Sequence, residues 1–193
     1  ALLFDAGPDP DLLDRCLKSI GVKHLPLIVL SHNHADHYYG VSGALRKREI
    51  GQIWSNGNIT RAELSSYSVS KVGAGDIARI DDVSLEVLWP PTNTANFSNL
   101  SGDGSQENNR SLVILAQVGQ VKILITGDIE PEAQEEIAKR YDLSGISILK
   151  VPHHGSRFQS EFFLSQISPE ISLISVGESN SYGHPDLDFL EEL

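Results

Sequence analysis

Six consecutive residues, His32-Asn33-His34-Ala35-Asp36-His37, constrain this chain more than any others, and they directly follow the apolar run 25–30. Four of them are ligand-type side chains. Neutral imidazole and carboxylate are the usual protein ligands of zinc, and imidazole also serves manganese and iron. In an irregular loop, His-x-His points two rings to one side. The Asp and His that follow can face a second point a few ångströms away. The spacing requires a fold in which a short buried strand delivers Ser31 and His32 at its end.

Two later segments repeat the plan of strand, then polar group. Ile123-Leu124-Ile125-Thr126-Gly127-Asp128 ends an apolar run in Gly-Asp, where glycine permits a tight turn and the carboxylate sits at the strand's end. Leu149-Lys150-Val151-Pro152-His153-His154-Gly155-Ser156 ends another in two histidines. Adjacent histidines cannot easily bind one ion, so one ligates and the other contacts substrate. Asp128 is placed to bridge two metals.

The rest of the pattern predicts helices and strands in alternation. Residues 9–20 form a helix with Leu12, Leu13, Cys16, Leu17 and Ile20 on one face and Gly21 as its C-terminal cap. Residues 36–48 are a loop turning into a helix, 50–55 a strand, and 60–69 a helix capped by Thr60. Strands follow over 77–88, joined at Asp81-Asp82. Residues 90–110 are polar and rich in turn formers, so they read as a long surface loop. A hairpin spans 111–118 and 121–126. Then come a helix at 131–141, a strand at 146–151, a helix at 160–167 with Ser160 as cap, a strand at 171–176, and a helix over 186–193. Hairpins mixed with βα units imply an α/β (α+β) chain with helices packed on mixed sheets.

The 193 residues suit one domain spanning 1–193. No stretch approaches the roughly 18 apolar residues of a membrane span. There is no methionine and no signal-peptide pattern, so the chain reads as a soluble fragment of a longer protein. The lone Cys16 excludes an internal disulfide and a multi-cysteine zinc site, and its place on the helix predicts a buried thiol. His24 reads as a surface residue, and Trp54 and Trp89 as core or core margin. The run Arg46-Lys47-Arg48 reads as a solvated helix end. The net charge of −11 repels polyanions, so a nucleic-acid substrate would need a local basic patch or metal ions. Arg110, Lys150 and Arg157 flank the proposed ligands and are the phosphate candidates. No serine-hydrolase elbow surrounds Ser156, which leaves it a phosphate or backbone contact.

The order His-x-His-x-Asp-His, Thr-Gly-Asp, His-His-Gly-Ser resembles the metallo-β-lactamase-fold hydrolases, and Asp5-Ala6-Gly7 is similar to their first strand-Asp-x-Gly motif. Asn108-Asn109-Arg110-Ser111, Lys150 to Ser156, and Ile174 to Pro185 with Asn180, Tyr182 and His184 are most similar to the C-terminal domain of ComEC competence proteins. The resemblance implies an αββα sandwich of two mixed sheets flanked by helices. It implies His32 and His34 as ligands of a first metal, Asp36, His37 and His154 of a second, and Asp128 as the bridge. Asp5 would orient a ligating histidine. Asn109 stands where the superfamily has a histidine, and its harder oxygen shifts preference from zinc towards manganese. One or two divalent ions, Mn2+ or Zn2+, are therefore expected. Asp36 would orient the attacking hydroxide. His153 or His184 would stabilise charge on the phosphate and leaving group, and Asn180 and Tyr182 would line the substrate site.

The implied activity is nuclease action on the non-transforming DNA strand during uptake. The implied setting is the extracytoplasmic face of the bacterial inner membrane, beside a transmembrane channel domain of the same protein, with no stable homo-oligomer. Two other readings stand beside it: a small-molecule phosphodiester or ester hydrolase of the same fold, and a non-catalytic DNA-binding module.

Overall fold

The computed structural model describes residues 1–57, 59, 61–92, 105–178 and 180–193. The chain divides into two compact units, Ala1–Val72 and Gly73–Leu193, each built on its own β-sheet flanked by helices.

The first unit has a four-stranded sheet in the order β1 (Leu2–Phe4), β2 (His24–Leu30), β3 (Glu49–Ser55), β4 (Val69–Lys71), and every pairing is parallel. Parallel strands are covered on both faces, which is why β2 is a near-continuous apolar run. Pro26 interrupts its ladder opposite Gly51, whose absent Cβ would lie 2.3 Å from the Pro26 carbonyl oxygen. Helix α1 (Pro10–Ser19) starts on Asp9, whose side chain accepts from the backbone N–H groups of Asp11 and Leu12, with Pro10 at its first position. Leu17, Leu25, Ile28, Leu30, Val41 and Ile53 form the core of this unit.

Four expectations change here. Residues 36–48 make two one-turn helices, α2 (Ala35–Tyr38) and α3 (Val41–Ala44). The cause is close backbone approach: a Cβ on Gly40 or Gly43 would lie 2.1 or 2.0 Å from the carbonyl oxygens of Ala6 and Pro10. Within 60–69, only a 3-10 turn at Ala62–Leu64 forms before β4; Thr60 lies outside the described residues. Ser65 there donates its hydroxyl to the Ala62 carbonyl, a local bond that competes with helix propagation. Cys16 is exposed, not buried, because α1 turns Leu17 and Asp14 inward and leaves Leu12 and Cys16 outside. Arg48 is no solvated end: its buried guanidinium donates to Asp14 Oδ1 at 3.0 Å and to the carbonyls of Asp14, Val22 and Gly43.

The second unit has a six-stranded mixed sheet, in the order β10 (Ile171–Leu173), β9 (Ile148–Lys150), β8 (Val121–Ile125), β7 (Val113–Val118), β6 (Val83–Trp89), β5 (Ile77–Ile80). Strands β5 to β8 form an antiparallel meander, and β8, β9 and β10 run parallel. Helices α4 (Pro131–Arg140), α5 (Glu161–Ser165) and α6 (Leu187–Glu192) complete it, the last two capped by Ser160 and Asp186. Trp89, Val113, Leu124, Ile137, Leu149 and Phe163 are buried in its core. Of the predicted loop 90–110, residues 93–104 lie outside the described set. Among the described residues, no helix is long and apolar enough to cross a membrane.

Candidate metal centre

In both units the polar clusters sit at the carboxyl ends of parallel strands, the place where open α/β sheets bind ligands.

In the first unit, β1 and β2 end side by side and release Asp5 and Ser31. The Asp5 backbone N–H donates to the Val29 carbonyl, and the Ala6 N–H to the His37 carbonyl. These bonds fasten the Asp5 loop to the histidine run. Asp5 Oδ1 accepts from the Ser31 N–H (2.7 Å), and Oδ2 accepts from the Ser31 hydroxyl (2.8 Å) and lies 2.8 Å from His37 Nδ1. The Ser31 hydroxyl proton is thus committed to Asp5, so its oxygen accepts from His32 Nδ1, 3.0 Å away. Both buried rings are fixed with Nδ1 protonated and Nε2 as the lone-pair nitrogen. Burial pushes the Asp5 carboxyl up, but the neighbouring His37, which hydrogen-bonds to it, and the Ser31 N–H outweigh it and hold the group below the usual carboxylate range.

His32 Nε2 and His34 Nδ1 converge to 3.0 Å. Two nitrogens on one tetrahedral zinc stand roughly 3.3 Å apart, given Zn–N of about 2.0–2.1 Å. The Asp36 carboxylate is more exposed, with Oδ2 3.7 Å from His37 Nε2.

In the second unit, β8 and β9 release Asp128 and the pair His153-His154. Gly127 turns the chain at φ 56°, the Asp128 N–H donates to the Ser111 hydroxyl, and Asp128 is buried. His153, His154 and Gly155 are three successive residues in the left-handed region, at φ 46°, 55° and 76°. That conformation costs non-glycine residues energy, and surrounding bonds hold it. The His153 N–H donates to the Gly127 carbonyl, and the Ser156 N–H to the His153 carbonyl. His154 Nδ1 donates to the Ser175 carbonyl at 2.6 Å, which leaves Nε2 as the lone-pair nitrogen, 3.2 Å from Asp128 Oδ2. A histidine whose second nitrogen is anchored on a carbonyl is the usual form of a metal ligand. These donors, imidazole nitrogen and carboxylate oxygen, suit zinc or manganese.

His184 lies beside His153, ring centroids 5.3 Å apart, and Tyr182 stacks on it at 16°. Burial, with the neighbouring His153 and His154, holds His184 below the ordinary imidazole range. Asn180 bridges this loop: its amide donates to the His184 carbonyl and its oxygen accepts from the Tyr182 N–H.

The asparagine pair divides its work. Asn109 Oδ1 accepts from the Glu130 N–H (2.9 Å), and its Nδ2 donates to Glu132 (3.0 Å). Asn108 Nδ2 donates to Glu130 Oε1 (2.7 Å), while its buried Oδ1 has no hydrogen-bond partner among the described residues. Lys150 braces the turn under Asp128 by donating to the Gly127 carbonyl. Ser156 is buried and accepts from the Phe158 N–H. Arg110 lies 4.0 Å from Glu107, and Arg157 is exposed over the Phe158 ring. Ser31, Asn108 and Glu130 are polar residues of these clusters to which the motifs assign no role. Ser31 touches the histidine run in sequence, and Glu130 follows Asp128 by two.

A family model described as "Metallo-beta-lactamase superfamily" matches residues 1–178. Among curated proteins, the chain is similar to "ComE operon protein 3" of Bacillus subtilis, with 28% identity over 188 residues that cover 92% of this chain and 23% of that protein. It is also similar to "Competence protein ComA" of Neisseria gonorrhoeae, 30% identical over 189 residues, covering 95% of this chain and 25% of that one. The chain thus spans about a quarter of the length of these relatives. Among solved structures, a putative metal-dependent hydrolase from Parabacteroides distasonis superposes with a TM-score of 0.55 at 17% identity, covering 89% of this chain and 74% of that one.

Proposed function

This chain belongs to the metallo-β-lactamase superfamily of hydrolases, and from that premise we propose that it is a metal-dependent phosphodiesterase that cuts DNA. We place it as one domain, residues 1–193, of a longer membrane protein. Its setting is DNA uptake, on the extracytoplasmic face of the bacterial inner membrane and beside a channel domain of the same protein. The competence relatives support that setting.

The observation that carries the chemistry is the fixing of the rings: His32, His37 and His154 are each locked, through Ser31, Asp5 or the Ser175 carbonyl, with Nε2 as the lone-pair atom. In this reading, which follows the order of the motifs, His32 and His34 are ligands of one divalent ion, Mn2+ or Zn2+, Asp36, His37 and His154 are ligands of a second, and Asp128 is the bridge. Such an ion brings the pKa of a bound water near neutrality and polarises a phosphoryl oxygen. The protein's own part is positioning. Asp5 keeps the ligating rings oriented, and Asp36 accepts a hydrogen bond from the attacking water. Asp128 is buried, and the Ser111 hydroxyl holds the backbone from which its carboxylate projects. His153 and His184, side by side, hold or pass a proton at the leaving oxygen. Tyr182 and Asn180 keep the His184 loop in place.

The test is hydrolysis of linear DNA with added Mn2+ by wild type, Asp36→Ala and Asp128→Asn. Loss in both variants is expected, and full activity in both sinks the reading. Two observations favour a smaller substrate: Lys150 is spent on the Gly127 carbonyl, and the net charge is −11. A small phosphodiester or ester hydrolase would show little salt dependence, whereas DNA cleavage falls steeply with salt.

A further inference from the structure

Asp36 and Tyr39 stand three positions apart on the helical turn of α2 and its cap, so they share one face. Along the axis they are separated by about 4.5 Å, at 1.5 Å per residue. Both face solvent, the Asp36 side chain 54% and Tyr39 46% exposed. An exposed tyrosine alone says little; its mounting says more. The Tyr38 ring meets Tyr39 edge-on at 4.9 Å, and the Arg61 guanidinium lies 5.0 Å from the Tyr39 centroid and 5.5 Å from that of Tyr38. Arg61 is itself clamped by Glu63, which accepts from its Nη2 at 2.6 Å and its Nε at 3.2 Å. Beyond Arg61 lies an open hollow of about 500 Å³, lined also by Ile59, Ala62, Leu64 and Tyr67.

We propose that Tyr39, buttressed by Arg61, is a stacking shelf for an unpaired base of the substrate strand, next to the phosphate under attack at Asp36. The proposal rests on the DNA reading above and names its specificity determinant in this unit. Three observations carry it. The ring is braced by Tyr38 and Arg61, so less side-chain freedom is lost when a base settles on it than for an unsupported exposed tyrosine. The supporting cation is neutralised by Glu63, so the shelf grips through a π-face and not through phosphate charge. In a chain of net charge −11, affinity for a polyanion has to come from such contacts as well as from bound metal. Bases offer a free face only where the strand is unpaired, and stacking tolerates any sequence. The shallow hollow beyond Arg61, lined by both polar and apolar side chains, gives the next nucleotide a place to lie.

The experiment uses the full-length protein loaded with Mn2+ and fluorescence anisotropy of a labelled single-stranded oligothymidylate, with a matched strand carrying abasic sites as control. Tyr39→Ala and Tyr39→Leu are expected to weaken binding of the intact strand roughly five- to hundredfold, the range for one stacked base. Tyr39→Phe and Tyr39→Trp should restore it, and Mn2+ affinity should stay unchanged in all four. Abasic strands should bind wild type and Tyr39→Ala alike. If wild type binds the intact strand and Tyr39→Leu binds it equally well, the shelf is overturned while the DNA reading stands. If wild type binds no oligonucleotide, both fall.

Discussion

His154 Nδ1 sits 2.6 Å from the carbonyl oxygen of Ser175, and that single bond decides which ring nitrogen faces Asp128. The anchor is backbone, so no side-chain substitution at residue 175 removes it. His154→Ala should lower Mn2+ or Zn2+ affinity by more than about 100-fold, since loss of an outer partner alone costs about 10–100-fold. Calorimetric titration of metal into the chelator-treated protein measures it. Unchanged affinity removes His154 from the ligand set.

Asp5 and Ser31 should give graded effects. Asp5 fixes His37 directly and His32 through the Ser31 hydroxyl, whereas Ser31 reaches Asp5 and His32 at short range. Asp5→Asn should cost about 10–100-fold in metal affinity, and Ser31→Ala less. The reverse order would mean that the carboxylate serves the fold and not the rings.

Gly155 and Gly7 both have positive φ but differ in their surroundings. A Cβ at Gly155 would lie 2.9 Å from the Pro185 Cβ, whereas one at Gly7 meets nothing within 4 Å. Gly7→Ala should cost about 1–2 kcal/mol, the price of the left-handed conformation alone. Gly155→Ala adds overpacking of about 1–3 kcal/mol. Denaturant melts of the two variants compare them directly, and equal losses would rule out the contact with Pro185.

Asp14 sets a pH dependence away from the metal ligands. The Lys18 hydrogen bond, opposed by burial and reinforced by Arg48, holds its carboxyl below the usual range. Its folded value therefore lies below the unfolded value of about 3.9, so the stabilisation is complete above that pH and is lost as pH falls through the folded value. Asp14→Asn should melt lower than wild type near neutral pH, and the gap should close below about pH 4. A gap that stays constant into acid shows that the pair contributes nothing through its charge.

The polar clusters were legible because ligands at strand ends leave a local signature, an apolar run followed by His or Gly-Asp. The second sheet was legible for the same reason: β6 to β9 are apolar runs divided by turn residues. What escaped depended on distance in the chain. Nothing local marks Gly40 and Gly43 as pressed on Ala6 and Pro10, and those approaches break the predicted helix over 36–48. Nothing in α1 says that Asp14 turns inward, because its partner Arg48 is 34 residues away. Ser31 looked like an ordinary strand terminus until its hydroxyl was seen to link Asp5 with His32.

The left-handed run His153-His154-Gly155 also bears on the order of folding. Each non-glycine residue in that region costs about 1–2 kcal/mol, so the unfolded chain rarely visits two in succession. The bonds that hold the run come from Gly127 and Ser175, twenty or more residues before and after it. Neither partner is in reach until β8, β9 and β10 have paired. The histidine turn is therefore among the last pieces to settle, and His154 becomes a presented ligand only once the sheet beneath it already exists.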